Sequence, residues 1–295
     1  MNNSIDQRYA DLHIHTTCSD GEFTPTGIIQ LAKTSAVSAV AITDHFTVAG
    51  IQEATEEGKR QGIEVIPGIE LVAEYNQIRF HLIGLMLDEC SQKLREMLKL
   101  YHSKRMKYVM RFLYELQVNG YSFPMDLKVD YFHISDLISY YKSTLPVKQY
   151  RKAIDGIVRS EYYQKITQLP IPFEEICSVI HESGGIVIIP HMSTLKISDQ
   201  KLESFLVLLK KQSLDGIETW HPYYDSKQIQ CYKYLAEKLD LLKSGGSDFH
   251  GEVKSAFKLG QCTVSKNVLN TMKEYRTNQI RKRWIGENHT YGREN

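Results

Sequence analysis

The stretch that decides the fold is Tyr9-Ala10-Asp11-Leu12-His13-Ile14-His15. Its apolar residues and the two histidines at its end are typical of a β-strand. Because side chains alternate across a strand, His13 and His15 share one face, and two imidazoles placed in this way can begin a metal site. Parallel barrels collect their reactive groups at the carboxyl ends of their strands. The stretch therefore predicts a first strand that carries chemistry at its end.

Strand and helix patterns alternate over the rest of the first ninety residues. Thr24 followed by Pro25 predicts the start of a helix that ends near Val37, since Thr is a good N-cap and Pro fits the first helical turn. A second helix is predicted over about Val48–Gln61. The apolar and alternating runs predict these strands: Ala39–Thr43, Glu64–Pro67, Leu71–Tyr75 and Ile78–Leu87.

The middle of the chain has a different pattern. From Ser91 to about Gln117 the apolar residues have helical spacing, and further helical pieces are interrupted by Gly120, Pro124 and Pro146. Strand–helix alternation is not evident there. We expect residues 91–170 to form a helical insertion in a barrel domain made of residues 1–90 and 171–295.

Alternation returns at Pro172 and continues to the end of the chain. Helices are predicted over residues 173–183, 198–211, 225–240 and 267–283. Strands are predicted over residues 186–189, 216–219, 241–244 and 261–264. Repeated strand–helix units of this kind predict an α/β protein whose parallel sheet is closed, or nearly closed, into a barrel.

Composition and charge exclude several classes of protein. The chain has 295 residues, of which 42% are hydrophobic, and this is enough for one large core and a smaller insertion. No apolar run approaches the roughly 18 residues of a membrane span, and Met1–Tyr9 lacks a signal-peptide apolar segment. The five cysteines are scattered, which favours free thiols in the cytoplasm. A net charge of +1 gives no overall attraction to nucleic acid.

Residues 96–165 are the basic exception. They hold 12 Lys/Arg against 7 Asp/Glu, a local charge of +5, together with ten of the eighteen tyrosines. Such a segment can hold a phosphate and stack a base. It can equally be an ordinary helical face on which lysine side chains reach out to solvent.

Nine side chains point to a metal site because most of them follow a predicted strand. Imidazole and carboxylate ligands without thiolate suit Zn, Mn or Fe. A lone histidine within a strand, such as His81, is more often a core residue, but a set of nine suffices for two or three ions that share a carboxylate. These residues are His13, His15, Asp20, His45, Glu70, His81, His191, Asp248 and His250.

The chemistry that such a cluster favours is phosphoester hydrolysis. Clustered divalent ions generate hydroxide at neutral pH and bind phosphoryl oxygens during in-line attack. Competing mechanisms have less support, since the chain lacks both a Gly-x-Ser-x-Gly nucleophile elbow and a phosphate-binding loop of the Gly-x-x-x-x-Gly-Lys type.

Six motifs in order along the chain resemble the PHP (polymerase and histidinol phosphatase) superfamily of metal-dependent phosphoesterases. The resemblance covers about residues 1–90 and 172–265. Gly216-Ile217-Glu218 and Trp220-His221-Pro222 look like the small stand-alone branch, whose members cleave nucleoside 3′,5′-bisphosphates or trim 5′-phosphorylated RNA. The six motifs are Asp11–His15, Ser19–Gly21, Thr43–His45, Pro67–Glu70, His81–Gly84 and Gly246–Gly251.

The resemblance implies a distorted (β/α)7 barrel with a trinuclear metal site. By this resemblance, His13, His15, Glu70 and Asp248 hold the first ion. Glu70, His81 and His191 hold the second, and Asp20, His45 and His250 hold the third.

Further roles also follow from the resemblance. Asp44 is expected to orient a neighbouring imidazole. His221 is a candidate for substrate contact or leaving-group protonation, and packing beside Pro222 is the alternative. The predicted catalytic set is Asp20, His45, Glu70, His191, His221 and Asp248.

The sequence departs from the family in the residues expected to read the substrate. Relatives usually place a basic residue shortly after the position of His191, whereas here Lys196 is the first. Relatives often have a second histidine after the His-Pro pair, where this chain has Tyr223-Tyr224-Asp225. The predicted substrate contacts are Lys104, Arg105, Arg111, Lys148, Arg151, Lys152, Lys196 and Tyr224.

We therefore predict a soluble, cytoplasmic metal-dependent phosphoesterase that uses two or three divalent ions (Mn, Fe or Zn). Its substrate is a nucleotide or short oligonucleotide, such as a nucleoside 3′,5′-bisphosphate or 5′-phosphorylated RNA, which is attacked by a metal-bridging hydroxide. One alternative is a small-molecule phosphatase, for example of histidinol phosphate. Another is a nuclease subunit whose basic, tyrosine-rich insertion binds a longer strand or a partner protein, with Arg281-Lys282-Arg283 and Trp284 adding to that surface. A third is a non-catalytic binding module with the same fold. Membrane association is not expected, and any protein partner is left open.

Overall fold

The structure is a computed structural model that describes residues 9–124, 134–167, 169–252 and 256–291. The chain divides into two compact units. The larger unit is Met1–Leu94 with Ile171–Asn295, and the smaller is Arg95–Pro170. We interpret the smaller unit as the helical insertion that the sequence predicts.

Eight strands and ten helices follow one another along the described residues. The strands are β1 (Ala10–Ile14), β2 (Ala39–Ile42), β3 (Glu64–Tyr75), β4 (Ile78–Leu85), β5 (Ile171–Pro172), β6 (Ile186–Ile189), β7 (Gly216–Trp220) and β8 (Leu242–Gly245). The helices of the first half are α1 (Pro25–Thr34), α2 (Ile51–Gln61), α3 (Gln92–Val118), α4 (Ile134–Thr144) and α5 (Val147–Arg159). Those of the second half are α6 (Glu161–Thr167), α7 (Phe173–Glu182), α8 (Asp199–Lys211), α9 (Ser226–Lys238) and α10 (Lys266–Tyr291).

The sheet has the order β1-β2-β3-β4-β6-β7-β8, and β5 pairs with β3. Neighbours are parallel except for β4, which runs antiparallel to both β3 and β6. Isolated bridges from Ile14 to Phe249 and from Ala10 to Val264 join β1 to the chain that follows β8. The predicted α/β class is confirmed, and the closed (β/α)7 barrel stays a prediction.

Three predicted strands differ from the structure. The strands predicted over Glu64–Pro67 and Leu71–Tyr75 are one strand, β3, because its first half pairs with β2 and its second half with β4. The strand predicted over residues 261–264 is wrong: in the described residues Val264 makes a single bridge, to Ala10. One bridge fixes the chain against β1 without forming a ladder.

Each unit has a hydrophobic core of its own. In the larger unit, buried side chains of β1, β2, β6 and β8 pack with Leu269 and Met272 of α10. In the smaller unit, Phe112 of α3 packs with Tyr141 of α4 and Ile157 of α5. No helix in the described part of the chain is long and apolar enough to cross a membrane.

Candidate metal centre

The larger unit brings all nine predicted ligands together. His13 lies within β1 and His15 follows it, while His45 follows β2 and Glu70 lies in β3. His81 lies near the start of β4, and because β4 runs antiparallel to β3, the start of β4 reaches the same region. Asp20 lies in the loop after β1, His191 follows β6, and Asp248 and His250 follow β8.

Glu70 is the centre of this cluster. Its side chain is 1% exposed and its two carboxylate oxygens are approached by five imidazoles. Its Oε1 lies 2.7 Å from Nδ1 of His81 and 3.0 Å from Nε2 of His191. Its Oε2 lies 3.3 Å from His13 Nε2, 3.1 Å from His15 Nε2 and 3.4 Å from His45 Nδ1. A carboxylate in this position can bridge two cations.

Asp248 and Asp20 complete the ring of carboxylates. Asp248 Oδ1 lies 3.2 Å from His13 Nε2 and 3.3 Å from His15 Nε2. Asp20 lies between His15 and His250, with its oxygens 3.5 Å from His15 Nδ1 and 3.4 Å from His250 Nε2. His13 and His15 therefore each face two or more carboxylates.

Three groups of ligand atoms, each within 4.8 Å of one another, could hold a metal ion. The first group is the set implied by the family resemblance for the first ion. The group around Asp20 contains the set implied for the third ion and adds His15. The group around His81 differs from the set implied for the second ion, because it contains His45 and not His191, although His191 Nε2 lies 3.0 Å from Glu70 Oε1. The groups are His13, His15, Glu70 and Asp248; His15, Asp20, His45 and His250; and His45, Glu70 and His81.

The buried nitrogens of His15 test whether these residues fit a metal. Among the described residues, neither ring nitrogen of His15 has a hydrogen-bond partner, although the side chain is 0% exposed. The carboxylate oxygens nearest to Nε2, Oε2 of Glu70 and Oδ1 of Asp248, lie 3.1 and 3.3 Å from it but do not form a hydrogen bond with it. Because an unsatisfied buried polar group costs about 1–3 kcal/mol, the two nitrogens are poorly explained by packing alone. Imidazole and carboxylate donors of this kind fit Zn, Mn or Fe.

The charges of the cluster are strongly coupled. Burial disfavours the ionised form of Glu70, but His45 and His13 hold the pKa of its carboxyl well below the usual value. Burial likewise opposes the charged form of His15, yet the neighbouring carboxylates of Asp248 and Glu70 raise its pKa to about 10. The pKa of His13 is also raised well above the usual value, by Asp248 and Glu70 against burial. Metal binding to these imidazoles must therefore displace protons.

Glu218 of β7 supports two of the ligands, and sequence reasoning missed this role. Its side chain is 1% exposed; Oε1 lies 3.2 Å from His13 Nδ1 and Oε2 accepts the His191 N–H at 2.6 Å. It thereby directs Nε2 of His13 towards Glu70 and fixes the turn that carries His191. The signal was a charged residue in an otherwise uncharged buried strand.

The side chains of Asp44 and Asp11 accept hydrogen bonds from loop residues and do not orient imidazole rings. Asp44 accepts hydrogen bonds from Thr16 N–H (2.7 Å), Thr16 Oγ1 (2.7 Å) and Ser19 Oγ (2.6 Å), so the prediction that it orients an imidazole is wrong. It fixes the loop that carries Asp20. Asp11 accepts Ser247 N–H at 2.8 Å and Ser247 Oγ at 2.6 Å, which ties β1 to the loop of Asp248. Burial raises the pKa of Asp11 to about 6 against these hydrogen bonds.

Two residues of the cluster have strained backbone conformations, and a nearby glycine allows two chain segments to approach closely. His191 (φ 28°) and Asp248 (φ 51°) lie in the left-handed region, which costs a non-glycine residue about 1–3 kcal/mol and is concentrated at functional sites. At Gly246 an added Cβ would lie 2.4 Å from Cβ of His13, so only glycine permits this approach. The strain therefore lies at two predicted ligands, and the close approach involves a third.

The predicted cationic substrate contacts lie in both units. Lys104 and Arg111 are exposed on α3 and Arg105 is half-buried there; burial lowers the pKa of Arg105. In the larger unit, Lys196 is exposed after a short 3-10 helix, Met192–Thr194. Their role as substrate contacts stays a prediction. The three predicted contacts of α5 are exposed on one helical face: Lys148, Arg151 and Lys152.

Tyr224 is placed differently from its prediction as a substrate contact. Its side chain is 7% exposed and its hydroxyl accepts the Met192 N–H, because the ring packs inward against Tyr232. It positions the turn after His191. Tyr223, its neighbour, is the exposed aromatic residue, with 65% of its surface accessible.

His221 faces the cluster, and its hydrogen bonding fixes which ring nitrogen carries the proton. The side chain is buried, and its Nδ1 accepts the Tyr223 N–H at 3.2 Å. In the neutral ring the proton therefore lies on Nε2, which is 3.7 Å from Oδ2 of Asp248. The ring presents a donor to the space beside Asp248.

Comparisons with known proteins agree with this geometry. The family model described as PHP domain matches residues 11–282. A 5′-3′ exoribonuclease from Haemophilus influenzae is 28% identical, over 88% of this chain and 93% of the relative. A phosphoribosyl 1,2-cyclic phosphate 1,2-diphosphodiesterase from Eggerthella lenta is 27% identical over 82% and 94%. A 3′,5′-nucleoside bisphosphate phosphatase from Chromobacterium violaceum is 24% identical over 81% and 86%.

Solved structures share the fold. A protein from Bifidobacterium adolescentis described as a metal-dependent phosphoesterase has a TM-score of 0.72 and 24% identity, covering 90% of this chain and 95% of its own. A protein from Chromobacterium violaceum described as an amidohydrolase, with bound sulfate and no metal, has a TM-score of 0.71 and 22% identity, covering 88% and 92%. The α/β arrangement described above is thus one that solved proteins adopt.

Proposed function

The chain belongs to the PHP domain family, and we propose that it is a metal-dependent phosphoesterase that hydrolyses a phosphate ester of a nucleotide or short oligonucleotide. The three relatives named above all cleave phosphate esters, and each similarity spans more than four fifths of this chain. Two or three divalent ions, Mn, Fe or Zn, are proposed as cofactors.

One observation carries the proposal. The buried carboxylate of Glu70 is surrounded by five imidazoles, and the described residues offer no hydrogen-bond partner to the ring nitrogens of His15. The nine residues of the cluster would hold the ions, in the three groups given by the geometry. Ions bound there would activate water and neutralise the charge that develops on phosphoryl oxygens.

The protein's own side chains have separate tasks in this proposal. Glu70 and Asp248 stay ionised, because neighbouring imidazoles hold the pKa of each carboxyl well below its usual value against the effect of burial. Glu218 orients His13 and keeps the His191 turn in place. Nε2 of His221 is positioned to donate a proton or a hydrogen bond to a leaving oxygen beside Asp248.

A hydrolysis panel with Mn²⁺ tests the proposal. It compares a nucleoside 3′,5′-bisphosphate, a 5′-phosphorylated RNA hexamer, the matching DNA and histidinol phosphate. We expect cleavage of the first two, and loss of that cleavage in Asp248→Ala.

Other results would indicate another function. Preferred turnover of histidinol phosphate would favour a small-molecule phosphatase, and salt-sensitive binding of a long oligonucleotide without turnover would favour a nuclease subunit. Cleavage of none of the four substrates would contradict the proposal. The relatives do not favour these alternatives, since the three named above act on nucleotide, phosphoribosyl or RNA esters.

A further inference from the structure

An exposed aromatic ring lies directly beside the candidate metal centre. Tyr223 is 65% exposed, yet its ring stacks on His221 with a centroid distance of 5.4 Å and an interplanar angle of 22°. His221 is itself 3.7 Å from Asp248, through Nε2 and Oδ2. A single imidazole therefore separates the Tyr223 ring from a proposed metal ligand.

The ring is held in place from several sides. Phe257 contacts it edge to face, with a centroid distance of 4.6 Å and an angle of 84°. The Tyr223 N–H is hydrogen-bonded to His221, and the next residue is anchored through the hydroxyl of Tyr224 to the Met192 N–H. Such anchoring lowers the entropy that is lost when a ligand packs on the ring.

We propose that Tyr223 is the stacking surface for the base of the nucleotide substrate, an inference that rests on the proposed function. The metal centre would take the charged phosphate. The base of a nucleotide is an uncharged, flat aromatic ring, and a rigid, exposed tyrosine one side chain away from the metal centre is complementary to it. Stacking of a base on an aromatic side chain tolerates any base, because every base has a π-face.

Two consecutive tyrosines, Tyr223 and Tyr224, have different tasks in this arrangement. The first tyrosine offers an apolar surface and the second holds the turn after His191. Base recognition by Tyr223 would make the enzyme prefer substrates that carry a base, without strong preference for which base.

Paired substrates test the inference. Adenosine 3′,5′-bisphosphate is compared with the same ribose bisphosphate lacking the base, in the metal-loaded enzyme. Tyr223→Ala should raise KM for the adenosine substrate about tenfold, the size expected for one stacked base, and leave kcat and KM for the abasic substrate unchanged. Tyr223→Phe should keep the wild-type preference, and Tyr234→Ala, which removes an exposed tyrosine of α9, is the matched control.

A fluorescence measurement decides the inference independently of turnover. A 2-aminopurine nucleoside 3′,5′-bisphosphate is mixed with the enzyme, and quenching is recorded before turnover. Quenching by wild type that is lost in Tyr223→Ala supports stacking. No quenching by wild type, or equal KM changes for both substrates, overturns it. Absence of hydrolysis with retained quenching would instead contradict the proposed function.

Discussion

Two buried clusters of histidine and carboxylate lie at opposite ends of the strands of the larger unit, and they are built differently. Asp215, just before β7, accepts the Val187 N–H at 2.7 Å and the Tyr275 hydroxyl at 2.8 Å, and lies 2.6 Å from His181 Nε2. Both of its oxygens have donors. Glu70, at the other end, is approached by side-chain imidazoles that need a proton or a metal to complete the interaction.

The difference separates a structural cluster from a functional one. In the Asp215 cluster the backbone, a hydroxyl and an imidazole satisfy the carboxylate, so the group joins α7, α10 and β6 without a further ligand. In the metal centre, both His15 nitrogens lack hydrogen-bond partners within the described residues, and His191 and Asp248 are in strained backbone conformations. Residue type alone does not distinguish the two clusters, whereas the satisfaction of their polar atoms does.

The largest effect is expected from removing a carboxylate ligand of the metal centre. Asp248→Ala should lower kcat/KM by a factor on the order of 10³ or more, because loss of a ligand removes several kcal/mol of charge stabilisation. The far-UV circular dichroism should remain that of wild type. Steady-state kinetics with the preferred substrate provides the measurement, and activity close to wild type would contradict the metal assignment.

A smaller loss is expected from the residue that orients the ligands. Glu218→Gln should weaken metal affinity or kcat/KM by about 10- to 100-fold, because its amide cannot accept from both His13 and His191. Metal titration followed by calorimetry measures this. Glu203→Gln, at an exposed glutamate paired with Lys238, is the matched control and should have no effect.

The metal centre should also respond to pH. Its imidazoles compete with protons, since the pKa of His15 is raised to about 10 and that of His13 is raised as well. Metal affinity should therefore rise with pH, by up to about tenfold per pH unit for each proton displaced. Calorimetry in two buffers of different ionisation enthalpy counts the protons, and binding that releases none would exclude this coupling.

The raised pKa of His15 should also make the stability of the metal-free protein depend on pH. A histidine whose pKa is raised in the folded state contributes stability that is complete below its unfolded value of 6.5 and is lost as pH rises through about 10. Chelated protein should thus lose stability between pH 6.5 and 10, and metal-loaded protein should lose less. Urea denaturation at several pH values measures both, and equal pH dependence with and without metal would be the opposite outcome.

The smallest effect on activity is expected at the opposite end of the strands. Asp215→Ala should lower the free energy of unfolding by about 1–3 kcal/mol, because the Val187 N–H and the Tyr275 hydroxyl lose their acceptor. The kcat/KM of the folded protein should change by less than about threefold. Urea denaturation and kinetics on the same sample test both halves, and a large loss of activity without loss of stability would assign this cluster a role in function.

Many ligands of the metal centre could be predicted because they lie in short sequence motifs at strand ends. His13 in β1 and His15 just after it share a face by the period of a strand alone, and Asp248 and His250 follow a strand that is apolar at its start. The roles of Glu218, Asp11 and Asp44 were not predictable in this way. Each acts through hydrogen bonds to residues that are distant in sequence, and a single carboxylate in a strand or loop does not reveal its partners.

The sequence by itself determined the alternation of strands and helices, the family and the set of nine candidate ligands, because periodicity and motif order are properties of neighbouring residues. Only the tertiary structure decided how many imidazoles surround Glu70, which tyrosine is buried and which is exposed, and which buried nitrogens are left without partners. These depend on strand register and on the direction of each side chain. A shift of one residue in a strand would exchange its inward and outward faces.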